Sequence, residues 1–119
     1  MILHVLTEAA AGEARGRREY VPPTFAADGF IHCTAGDDLM LQVANRFYAS
    51  ADEPLVVWTI DEALVSADVR WEPPMPENPP NYDGPLFPHI YGPLELDAVV
   101  GARRLVRGEG GAFVGYEPM

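Results

Sequence analysis

Residues 54–60 read PLVVWTI, and this stretch decides the fold. Its apolar residues do not alternate with polar ones, so the strand it predicts is buried on both faces and central in a sheet. Other strands must therefore flank it. Upstream, ILHVLT (2–7) is rich in β-formers and reads as a first strand. Four-residue FIHC (30–33) reads as a second. Downstream, ADVRWE (67–72) alternates Val69 and Trp71 against Arg70 and Glu72. LFPHIYGPL (86–94) is extended and broken by Pro88 and Pro93. DAVVGARRLVRG (97–108) adds at least one more strand, and residues 106–119 supply a tail or an extra strand through AFVGYE.

Two helices are expected, both in the first half. EAAAGEARGRRE (8–19) is helical but weakened by Gly12 and Gly16, at about 1 kcal/mol each. Its Arg15, Arg17 and Arg18 would sit near the C-terminus, where they favour the helix dipole. YVPPT (20–24) is extended because Pro22 and Pro23 force it. Thr34 or Asp37 would cap the second helix, which runs through LMLQVANRFYAS. Leu39, Val43, Ala44 and Phe47 form its predicted buried stripe. DEAL (61–64) suggests one short turn. PPMPENPPNYDGP (73–85) carries six prolines and is long for a structureless connection, which marks it as functional or mobile. The whole predicts one α+β domain over residues 1–119, with a split, mostly antiparallel sheet and flanking helices.

Composition narrows the chemistry. The chain has 119 residues, 48% of them apolar, enough for a core without staples. Net charge is −10, and all 8 basic residues are arginines. Such a surface repels duplex nucleic acid and anionic membranes, while an arginine or a helix start can still hold a small anion. Without lysine there is neither a Schiff-base nucleophile nor a Walker-type phosphate loop. Neither Ser50 nor Ser66 lies in a G-x-S-x-G setting, and GEGG (108–111) is a turn, not a dinucleotide fingerprint. The lone Cys33 forms no internal disulfide, which fits a cytoplasmic protein. The N-terminal stretch lacks the pattern of a signal peptide, and no run approaches a membrane span.

All three histidines, His4, His32 and His89, sit in strand-like segments. Each reads either as a half-buried imidazole held by a backbone carbonyl or as part of one cleft shared by strands distant in sequence. Glu72, at a strand end before the proline-rich loop, reads as a functional carboxylate or a solvated edge residue. Glu95 and Asp97 read as a wet strand face. Trp71 reads as core. Tyr91, beside Gly92, reads as core or as a ring for stacking a ligand. Arg46 reads as a salt-bridge partner or a phosphate contact. Cys33 points away from His32 across the strand and reads as inert packing. Three histidines and a carboxylate also suit zinc or iron, yet no H-x-H, H-E-x-x-H or C-x-x-C pair anchors such a site, and no metal is expected.

Together, ILHVLT, DGFIHCT, ANRFY, VRWE and FPHIYGPL, in that order over roughly residues 1–105, resemble a bacterial family known as domain of unknown function 952. That family is similar to compact members of the ADP-ribosyltransferase fold. The resemblance implies a split antiparallel sheet whose cleft takes NAD or a related nucleotide. It implies His32, Glu72 and His89 as catalytic candidates in an N-riboside-cleaving, ADP-ribosyltransferase-like enzyme. His4, Thr34, Arg46 and Tyr91 become cofactor contacts, with His4 in the first-strand position and Tyr91 stacking nicotinamide. No glutamate stands in the late-strand position that active transferases use. A ligand-binding module without turnover and a metal-dependent hydrolase are the alternatives.

Overall fold

The computed structural model describes residues 1–75 and 79–119. The order is β1 (Ile2–Thr7), α1 (Glu8–Ala14), β2 (Glu19–Tyr20), α2 (Phe25–Asp28), β3 (Ile31–His32), α3 (Asp37–Phe47), β4 (Leu55–Ile60), β5 (Asp68–Glu72), β6 (Phe87–Tyr91), β7 (Leu94–Glu95), β8 (Val99–Arg107) and β9 (Phe113–Pro118). The fold is α+β, and every strand pair among the described residues is antiparallel. One sheet runs β1-β4-β8-β9, a second β3-β6-β5, and β2 pairs β7 alone.

Strand β4 lies inside the larger sheet, as its doubly apolar sequence requires. Val56, Trp58 and Ile60 face one core with Ile2 and Leu6 of β1. Leu55 and Val57 face the other, with Leu3 and Val5. The first core is closed by the apolar face of the smaller sheet, through Ile31, Cys33 and Ile90. The second is closed by α3, through Met40 and Ala44. Period two then carries the smaller sheet's other residues to its opposite face: Phe30 and His32, Phe87, His89 and Tyr91, Asp68, Arg70 and Glu72.

Several sequence expectations are corrected. Helix α1 stops at Ala14, because Arg15 is extended and Gly16 has φ +86°. Its last turn therefore holds no arginine, and Glu19 belongs to β2. The cap of α3 is Gly36, with no side-chain hydrogen bond. Asp37 instead receives both terminal nitrogens of Arg103, at 2.8 and 3.0 Å. Of the expected stripe of α3, Ala44 is buried, but its buried partner is Met40, and Phe47 is 60% exposed. Trp71 is not core. It is 43% exposed and donates its indole N–H to Glu62. A short helix, α2, stands just ahead of FIHC, between the extended YVPPT and the strand, where no element was expected. GEGG turns the chain between β8 and β9, so the C-terminal residues form the outer hairpin. Of the proline-rich loop, Pro76, Glu77 and Asn78 lie outside the described residues.

Candidate functional site

The site begins with Gly29. Its φ of +81° ends α2 and turns the chain into β3, a backbone shape open to glycine at little cost. The turn brings the Asp28 carboxylate to His32, whose Nε2 lies 2.8 Å away. Strand β3 then pairs with β6 so that His32 stands opposite His89. One residue on, Cys33 N–H donates to Pro88 O at 3.1 Å, and proline has no N–H to return. Bonded and non-bonded pairs alternate along an antiparallel ladder, so the adjacent His32 and His89 form the non-hydrogen-bonded kind, in which side chains approach most closely. Their ring centroids are 5.6 Å apart at 71°. Phe30 stacks on His89, centroid to centroid at 4.1 Å.

Glu72 completes the arrangement from the next strand. Its Oε1 accepts His89 Nδ1–H at 2.9 Å and also the Tyr91 hydroxyl. These bonds favour the charged carboxylate, so the Tyr91 hydroxyl first and His89 second hold Glu72 below the usual carboxyl range. Burial lowers the pKa of His89, and the bond to Glu72 opposes that shift. At neutral pH His89 is therefore a neutral imidazole with its hydrogen on Nδ1. Its Nε2 carries a free lone pair, bonds to no described residue, and is not a buried unpaired atom. His89, only 1% exposed, lines a cavity of about 570 Å³.

This cavity lies where β1 leaves the smaller sheet. Among the described residues the two share one isolated backbone bridge, Leu3–Thr34, with N–H to O distances of 2.7 and 2.8 Å. Beyond it the free edge of β1 forms one wall, and His32 and His89 stand on another. Val43 and Phe47 of α3, the half of the expected stripe that misses the core, contribute a third. Pro74 and Met75 flank it at the start of the proline-rich loop. The volume is that of a small-molecule site, and the lining is predominantly apolar with few polar groups.

His4 is buried and joins the sheets. Its Nδ1–H donates to His32 O at 2.7 Å, and its Nε2 lies 3.3 Å from the Tyr20 hydroxyl. Burial holds it neutral, its pKa lowered to about 4. Thr34 is buried beside it. Arg46 lies over the Phe47 ring at 5.2 Å and does not itself line the cavity. Tyr91 stands behind His89, with Arg70 over its ring at 4.5 Å. Cys33 is buried, and burial pushes its thiol pKa far up. The structure thus gathers His4, His32, His89 and Thr34 on the cavity, sets Glu72 and Tyr91 behind His89, and leaves Arg46 at the side. Sequence reasoning missed Asp28, Phe30 and Arg70. The alternation in ADVRWE puts Arg70 on the face of Glu72, and that signal was available; the Asp28–His32 contact depends on the turn.

Among the described residues, no three His, Cys, Asp or Glu side chains are grouped to hold a metal, and no helix is long and apolar enough to cross a membrane. The profile of the family described as Protein of unknown function (DUF952) matches residues 5–102. The crystal structure of protein CC0527 from Caulobacter crescentus is similar over 95% of this chain and 92% of that one, at 25% identity and a TM-score of 0.75. The solution NMR structure of CC0527 is similar over 92% of this chain and 88% of that one, at 26% identity and a TM-score of 0.71. No curated protein matches the chain.

Proposed function

The chain belongs to that DUF952 family, and from this premise we propose that its cleft binds NAD or a related nucleoside-type ligand and acts on the N-riboside bond in the manner of the ADP-ribosyltransferase fold. One observation carries the reading: a histidine held by a carboxylate lines a cavity of ligand size, and no described residue bonds its second nitrogen. The cleft between two sheet halves supports it as well.

In this reading the base and ribose enter the cavity. The bond from the ribose carbon to the ring nitrogen breaks, and its electron pair leaves with the base. The sugar becomes oxocarbenium-like. Neutral His89 takes a proton through Nε2 from the attacking water, whose oxygen bonds the sugar carbon. Glu72 is a positioning residue here. It holds the imidazole in the useful tautomer and stabilises the imidazolium that forms, as a carboxylate behind a general base does. His32, steadied by Asp28, is the second polar contact on the same wall.

A thermal-shift panel of NAD, nicotinamide riboside and adenosine at millimolar concentration tests binding. We expect at least one to raise the melting temperature by mass action, and His89→Ala to remove that rise. No shift with any of them overturns the reading. Release of free nicotinamide from the ligand that binds, lost in His89→Ala, separates an enzyme from a binding module.

A further inference from the structure

Resting on that reading, we infer that the cleft selects a phosphate-free, cationic or neutral heteroaromatic nucleoside, and that phosphate groups weaken binding instead of anchoring it. The argument is one of charge. Asp28 is the carboxylate on the cavity wall, and Glu72 is an anion directly behind His89. Tyr20, Phe47, Tyr48 and Phe87 supply aromatic lining. Carboxylate and aromatic faces together attract an organic cation.

Nothing comparable awaits a diphosphate. The basic groups of the chain are 8 arginines, all among the described residues, and none of them lines the cavity. Arg103 is held by Asp37, and Arg104 by Glu8 and Glu117. Arg70 is held by Asp68, and Arg107 by the carbonyls of Ala49, Ala51 and Gly111. Arg17 and Arg18 border a separate depression with Glu19, Glu95 and Asp97. Three histidines are also on the wall: His4 is held neutral by burial, His32 Nε2 is bonded to Asp28 and His89 Nδ1 to Glu72. The start of α1 reaches the cavity too, yet its Ala10 N–H is bonded to Thr7 Oγ1 and its first turn carries Glu8.

Isothermal titration of the whole protein with nicotinamide riboside, nicotinamide mononucleotide, NAD and adenosine reads this directly. We expect the riboside to bind most tightly, and the mononucleotide and NAD about tenfold or more weaker. Asp28→Asn should weaken the riboside about fivefold and leave neutral adenosine within about twofold. A mononucleotide or NAD that binds as tightly as the riboside overturns the inference and leaves the cleft reading standing. Adenosine outranking the riboside, or an equal effect of Asp28→Asn on both, overturns the cation preference. Silence from all four ligands removes the inference and the reading together.

Discussion

Glu72 and His89 show what a single contact can do. Burial alone would push the imidazole toward its neutral form, and the Glu72 carboxylate pulls it back. Glu72→Gln removes the charge and keeps the size. The pKa of His89 should therefore fall further below 6.5, and NMR titration of its ring resonances measures it; a rise would contradict the pairing described here. The signs of this site were partly legible. Three histidines in β-like segments is a pattern that a sequence displays, and so is the alternation that puts Glu72 and Arg70 on one strand face. The partner that each histidine takes was not legible. Asp28 meets His32 through a left-handed glycine, and Glu72 meets His89 through a register.

At the scale of elements, the smaller sheet depends on how closely its strands can approach at their ends. A Cβ built on Gly92 would lie 2.8 Å from the Ala67 Cβ, well inside contact distance. Gly92→Ala should therefore push the start of β5 from the end of β6, near the pairing of Asp68 with Tyr91. We expect a destabilisation of about 1–3 kcal/mol by overpacking, read as a lower urea midpoint with unchanged slope. The strands themselves were readable, because period two and doubly apolar runs are local properties. Helix faces were less so. Leu39, Val43, Ala44 and Phe47 recur at helical spacing, but Met40 and Ala44 do as well, and nothing local says which row meets the core. Met40 and Ala44 pack on the larger sheet, and Val43 and Phe47 line the cavity. Trp71 misled for a related reason. Alternation put it beside Val69, but β5 is an edge strand, and its end extends past the core.

The whole molecule is joined across its two larger sheets by few polar links, of which His4 is one. His4 binds its proton below its ordinary value of 6.5, at about 4 in the folded chain. Between these limits the unfolded chain holds more protons than the folded one, so stability falls as pH drops from about 6.5 to 4. The contribution of this residue over that window is roughly 3 kcal/mol. His89 acts in the same direction, since its pKa is also lowered, and Glu72 adds a loss at still lower pH. His4→Gln should be less stable at pH 7 and lose less stability on acidification. Urea unfolding at pH 7, 5.5 and 4.5 measures both; parallel curves for the two proteins would show that His4 is not the titrating link.

By itself the sequence determined the class of this fold, the central strand and the short list of residues from which a site could be made, because hydrophobic period and residue chemistry are carried by neighbours along the chain. The tertiary structure alone decided which of those residues work together. His32 and His89 are 57 positions apart in sequence numbering, and the register of β3 against β6 sets them opposite each other. The cavity, too, exists only in three dimensions: it is the space left where β1 and the smaller sheet share a single bridge and then part.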